Sequence, residues 1–175
     1  MSNPEHQIQK ALTALIFDHC FYGQLAMQKL TVQVNPSLRF GMATDGVNLF
    51  YSPTWIVKTP DWELQSVTAH EVIHCANGHV WRRGNRDWKL WNYACDYVTN
   101  LILVADGFKL WKGALIDQKY VGWSAEEVYS DLLREKQAQQ QQPEPQPDAG
   151  GAGAPQGQPE DSNEPEGQDG DEDPS

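Results

Sequence analysis

The sequence predicts an α+β domain followed by a disordered acidic tail, and three observations carry that reading. Apolar residues recur at helical spacing in four segments. Two short runs of strand-forming residues flank an Asp-Gly dipeptide, Asp45-Gly46, that suits a hairpin turn. Core-forming residues then stop: from Gln137 onward there is no aromatic or branched aliphatic side chain, no Lys or Arg, and ten Asp or Glu. Such a segment cannot bury enough apolar surface to offset its chain entropy. The predicted division is a folded domain over 1–136 and a tail over 137–175.

The first helix is expected over residues 4–30. Asn3 can cap it, Pro4 fits its first turn, and Ile8, Leu12, Leu15, Ile16 and Cys20 share a face, with Gly23 marking a kink or break. LRFGMATDGVNLFYSP then reads as a small antiparallel sheet around Asp45-Gly46. Thr59-Pro60-Asp61 offers a cap, a proline at the first helical position and an acid in the first turn, so a second helix should run to about Arg83. GNRD at 84–87 breaks the chain, and Asp87 can cap a third helix from Trp88 to Ala105, closed by Asp106-Gly107. A short connection makes the second and third helices antiparallel neighbours. Ser124 and Glu127 form a capping box for a last helix ending near Lys136.

Charge narrows the function classes. The whole chain has 13 Lys and Arg against 24 Asp and Glu, a formal net charge of −11, but the tail supplies ten of those acids and none of the bases. The domain is therefore nearly neutral, and the low pI belongs to the tail, a possible tether for a protein partner. Nucleic-acid binding lacks its usual electrostatic support: the basic cluster Arg82, Arg83, Arg86 and Lys89 is short and reads as a solvated helix end. Cys20, Cys75 and Cys95 have no CxxC spacing, which predicts free, mostly buried thiols in a reducing compartment. With no signal-peptide pattern and no long apolar stretch, a cytoplasmic protein without a membrane partner is expected.

The chemistry concentrates in HEVIHCANGH, residues 70–79, which holds three of the chain's five histidines. On a helix His70 and His74 point within about 40° of each other, the geometry for two nitrogen ligands of zinc, and Glu71 lies about 100° around, placed to act as general base on a zinc-bound water. The bare HExxH pattern arises by chance in roughly one such sequence in a hundred, so context must decide. Ala69, Val72, Ile73, Ala76 and Val80 form an apolar stripe that leaves the histidine face separate.

A catalytic zinc needs a third protein ligand, and two residues compete. His79 falls on the far side of a continuous helix and can serve only if Gly78 ends that helix and redirects the chain. Asp96 lies mid-way along the antiparallel third helix, in a polar stripe with Asn92 and Asn100, either of which can hydrogen-bond a ligand. Gly78 would leave room for close approach. Cys75 and Cys95 point elsewhere and read as packing residues, as do Trp55, Trp62, Trp81, Trp88, Trp91, Trp111 and Trp123; His6 and His19 have no partner spacing.

Taken in order, ATDGVNLFYSPTWI, HEVIHCANGHVWRRG, LWNYACDYVTNLIL and YVGWSAEEVYSDLL resemble a metallopeptidase domain that in bacterial and phage proteins often precedes a von Willebrand A-like domain. The resemblance covers roughly residues 5–136, and the acidic tail resembles the linker to such a second domain. It implies a zincin-like fold, in which the HExxH helix packs on a second helix carrying an acidic ligand. It also implies a zinc peptidase: His70, His74 and Asp96 as metal ligands, Glu71 as general base, Zn2+ as cofactor, and a peptide or protein substrate paired to a cleft strand. The chain departs from the thermolysin-like pattern in having Asp96 for the usual glutamate and Asn100 for an outer carboxylate. The competing expectations are a catalytically inactive, zinc-stabilised binding module and a metal-free helical interaction protein.

Overall fold

The computed structural model describes residues 3–39 and 41–140. The expected tail lies outside them from residue 141 on. Seven helices, one 3-10 turn and a three-stranded sheet make up the described part, a mixed α+β arrangement.

Helix α1 (Pro4–Asp18) starts as anticipated, with the Asn3 side chain accepting from the Glu5 amide at 2.9 Å. The break expected at Gly23 comes earlier: His19 leaves helical geometry at φ −142°, and α2 (Cys20–Lys29) runs through Gly23 without interruption. Gly23 serves a different purpose, because a Cβ there would lie 2.5 Å from the Ile16 backbone nitrogen. It lets the two helices touch backbone to backbone.

Strand β1 (Thr31–Val34) was not anticipated. Strands β2 (Met42–Thr44) and β3 (Asn48–Tyr51) form the expected antiparallel hairpin, whose turn is held by Asp45 Oδ1 accepting from the Val47 and Asn48 amides. β1 pairs parallel with β3, in register Thr31 to Asn48, so the sheet is mixed, ordered β1-β3-β2, and not wholly antiparallel. TVQV alternates polar and apolar residues, but it is only four residues long, follows directly on a helix and leaves Val34 53% exposed, so the pattern is too short to mark a strand. β2 is an edge strand.

After a single turn, α3 (Pro53–Ile56), comes α4 (Asp61–Ala76), the HExxH helix. Pro60 takes the cap position and Thr59 does not cap; its hydroxyl donates instead to the Trp55 carbonyl. The helix predicted to reach Arg83 stops at Ala76, and Gly78 at φ +64° redirects the chain into α5 (His79–Arg82). The expected apolar stripe therefore holds through Ala69, Val72 and Ile73, while Ala76 and Val80 are exposed.

Helix α6 (Trp88–Ala105) is capped by Asp87 and closed at Asp106-Gly107, where the Phe108 amide reaches back to the Leu103 carbonyl. Ser124 and Glu127 exchange the two hydrogen bonds of a capping box before α7 (Ala125–Gln140), which extends past Lys136. The main core joins α1, α2, β3, α4 and the end of α6 through Ile8, Leu15, Tyr22, Leu49, Val72 and Leu103. Each such buried Leu or Ile stabilises by roughly 1.5–3 kcal/mol. Smaller cores around Trp91, Cys95 and Ala125, and around Ala94, Tyr120 and Val128, fix α7 on α6.

Two packing expectations need correction. Of the three thiols only Cys95 is buried, Cys20 being exposed and Cys75 intermediate. Among the tryptophans Trp91 is a core residue, but Trp81 and Trp88 are 63% and 65% exposed and Trp62 and Trp123 stand partly in solvent. Helical spacing places a ring on a face without saying whether another element covers it.

Candidate metal centre

Helix α4 turns one face to the core and the other to α6. His70, His74 and Asp96 meet across that second contact, each offering one atom within 4.8 Å of the others. Asp96 Oδ1 lies 3.3 Å from His70 Nε2 and 3.2 Å from His74 Nε2, and the two Nε2 atoms are 2.8 Å apart. The pairing of His70 with Asn100, His74 with Asp96 and the His79 carbonyl with Trp91 Nε1 runs in opposite directions along the two helices. They are antiparallel, as their short connection requires.

What surrounds the three atoms sets their protonation. Asn100 Nδ2 donates to the Leu115 carbonyl at 2.8 Å, which orients the amide and leaves Oδ1 to accept from His70 Nδ1 at 3.0 Å. Asn92 Nδ2 donates to Asp96 Oδ2 at 3.1 Å and leaves Oδ1 for the histidines. Trp111 stands edge-on to the His70 ring at 5.3 Å. With the Nδ1 proton of His70 committed to Asn100, its Nε2 presents a lone pair, and it faces another imidazole nitrogen and a carboxylate oxygen. Two acceptors, His70 Nε2 and Asp96 Oδ1, converge in a nearly buried spot with His74 Nε2, which is a third acceptor in the tautomer protonated at Nδ1. That donor set suits a divalent cation such as zinc, and the residues present fit one.

The carboxylate also sets the ionisation of its neighbours. Burial alone would depress His70, but the hydrogen bond that its protonated ring donates to Asp96 and the charges of Glu71 and Asp96 outweigh it and raise its pKa. Burial would raise Asp96, but its bonds to His70 and His74 bring it down to about 2. The carboxylate stays charged and calls for a positive neighbour. His79 goes the other way: burial first, then the His74 and Arg82 charges, lower it to about 3.

A cavity of about 550 Å³ opens over the cluster. Glu71, half-buried, lines it beside His70 and His74; strand β2 contributes Met42, Ala43 and Thr44; Val80, Arg83, Trp88 and Trp91 form the opposite side. The edge strand thus borders the His70, His74 and Asp96 cluster. Of the basic cluster, Arg82 pairs with Glu126, Arg86 lies over the Trp91 ring at 5.0 Å and Lys89 reaches Tyr93, so these side chains serve helix packing.

The two candidates for third ligand are both near, in different roles. Asp96 faces the Nε2 atoms, whereas His79, 3% exposed, places its Nδ1 3.2 Å from Nδ1 of His74, across that ring from Asp96. Gly78 does end the helix, which is why His79 returns toward the site, and its positive φ was the one feature that a continuous-helix reading had to miss. Leu115 and Trp111, from the irregular segment after α6, carry no pattern that a sequence reading could use. Cys95 is pushed up to about 12, chiefly by burial, and Cys75 is raised by burial and hydrogen-bonded to Thr44 Oγ1 at 3.1 Å. Neither thiol joins the cluster. His19 stacks on Phe108 with 3.8 Å between ring centroids, a packing role.

A family model described as "Putative metallopeptidase domain" matches residues 3–175. No curated protein and no solved structure matches the chain.

Proposed function

The chain belongs to the "Putative metallopeptidase domain" family, and from that premise we propose that it is a zinc-dependent peptidase with His70, His74 and Asp96 as metal ligands and Glu71 as general base. The observation that carries the reading is the convergence of two Nε2 atoms and one carboxylate oxygen at the floor of a cavity bordered by an edge strand. Zinc held there would lower the pKa of a coordinated water and polarise the scissile carbonyl.

The chain's own groups account for the rest. His70 and His74 bind as neutral imidazoles through Nε2, and Asp96 supplies one negative charge through Oδ1. Glu71, one residue along α4 from His70, takes a proton from the attacking water as its oxygen bonds to the carbonyl carbon. The same carboxyl then passes that proton to the amide nitrogen as the C–N bond breaks, leaving a carboxylic acid and an amine, which become a carboxylate and an ammonium once the water's second proton also moves to the nitrogen. β2 has β3 on one side only, so an extended peptide can pair along its other edge and lie over the cluster. The tail, if it binds a partner, acts as a tether outside this cycle.

A purely structural zinc would fill its fourth position with protein and has no use for a carboxylate like Glu71 in the cavity. The test is elemental analysis with peptide cleavage on the full chain. About one zinc per chain in wild type, lost in Asp96→Ala, together with cleavage that falls roughly 100- to 10,000-fold in Glu71→Gln while the metal stays, is the expected result. Absence of metal after zinc loading would overturn the centre, and unchanged cleavage in Glu71→Gln would overturn the mechanism.

A further inference from the structure

The proposal above leaves His79 without a task, although it is among the most buried polar residues and touches one of the ligands. We infer that His79 is a positioning residue: its Nδ1 accepts a hydrogen bond from Nδ1–H of His74, which holds His74 in the tautomer whose Nε2 can bind the ion. The inference rests on the metal reading of the site.

Tautomer logic fixes the direction of the bond. A histidine that binds through Nε2 must carry its ring proton on Nδ1. His74 turns Nε2 toward His70 and Asp96, and Nδ1, across the ring, toward His79 Nδ1 at 3.2 Å. Only one of those two Nδ1 atoms can hold the shared proton, so when His74 holds it His79 accepts and carries its own proton on Nε2. The rings stand nearly perpendicular, 82° apart with centroids 4.9 Å apart, so the Nδ1 lone pair of one can meet the in-plane N–H of the other.

The residue is itself held. Gly78 at φ +64° starts the turn that returns the chain, the His79 carbonyl accepts from Trp91 Nε1 at 2.8 Å, and the Trp91 ring packs edge-on to the imidazole. His70 has the equivalent support from Asn100, whose amide is anchored on Leu115. Each metal-binding imidazole therefore has its own acceptor, one from α6 and one from the start of α5. The same geometry argues against His79 as a ligand: it stands behind His74 as seen from the ion, and it is not among the residues whose atoms converge.

The test measures zinc dissociation constants by competition with a chromophoric chelator for wild type, His79→Leu and His79→Asn. Leucine removes the acceptor, whereas the asparagine Oδ1 takes a place close to that of Nδ1. Zinc affinity should fall about 10- to 100-fold in His79→Leu and recover most of that loss in His79→Asn. A second measurement needs no variant: two-bond proton–nitrogen spectra of the zinc-loaded wild type should show His74 protonated at Nδ1 and His79 at Nε2. Equal affinity in all three proteins, a proton on His79 Nδ1, or a His79 nitrogen shifted by direct coordination would overturn the assignment while leaving the metal centre standing. Failure of the wild type to take up zinc would overturn both.

Discussion

Asp96 divides its two oxygens between two tasks. Oδ2 is occupied by Asn92, and Oδ1 is left for the histidines. The shorter aspartate side chain reaches because α4 and α6 approach closely enough for His70 and Asn100 to bond at 3.0 Å. The contributions should rank accordingly. Asp96→Asn removes the only ligand charge and should weaken zinc binding most. Asn100→Ala leaves the His70 Nδ1 proton without its acceptor and should cost about 10- to 100-fold in affinity. Asn92→Ala frees Asp96 to rotate but keeps its charge, and should cost least. Chelator-competition titrations on the three variants check the order, and a larger loss for Asn92→Ala than for Asp96→Asn would contradict this division of labour.

At the scale of elements, three glycines with different jobs make a graded prediction. Gly78→Ala meets only ordinary contact, with Trp81 at 3.5 Å, so its cost is the left-handed backbone, about 1–2 kcal/mol. Gly46→Ala adds to a φ of +93° a Cβ only 2.6 Å from the Trp81 ring, which packs the hairpin turn against α5, and should cost more. Gly23→Ala would push α1 and α2 apart at the Ile16 backbone and should be the most damaging, although alanine is the better helix former. Thermal melts would rank them; a stabilised Gly23→Ala would show that the two helices separate without penalty. The same residues show what a sequence can tell. Asn3, Asp87, Asp106-Gly107 and the Ser124–Glu127 box act within four residues of themselves, so their spacing revealed the helix ends they hold. Gly23 and Gly78 answer to distant or three-dimensional demands, a backbone contact with α1 and a turn back toward His74. Each was misread, one as a break that is a contact, the other as mid-helix when it is a break. The polar stripe of Asn92, Asp96 and Asn100 was legible because helical periodicity alone puts it on one face. The parallel pairing of β1 was not, because nothing in TVQV marks a partner that lies beyond an intervening strand in the chain.

At the scale of the whole described domain, the cluster of His70, His74 and Asp96 lies where α6 passes between the main core and the smaller cores that hold α7. The face of α4 opposite the histidines belongs to the main core with α1, α2, β3 and Leu103 at the end of α6, while the rest of α6 anchors α7 through Ala94, Cys95 and Trp91. Between α4 and α6 the contact includes buried polar groups, His70, His74 and Asn100, where an apolar interface would contribute its own burial energy. An ion held by both helices would bridge them there, and its removal should be felt unevenly. At a free zinc concentration of about 100 Kd, mass action stabilises the folded state by about 2.7 kcal/mol. At roughly 4 °C per kcal/mol for a domain of this size, a chelator should lower the melting temperature by about 10 °C. Amide exchange should locate the loss: protection should fall first in the amino-terminal half of α6 and in α7, and persist in α1, β3, the amino-terminal half of α4 and the Leu103 end of α6, whose partners are apolar and independent of the ion. Equal loosening across all of these elements would mean that the cores unfold as one unit and that the ion does not specifically bridge them. No change on chelation would leave the convergence of His70, His74 and Asp96 without a stabilising role.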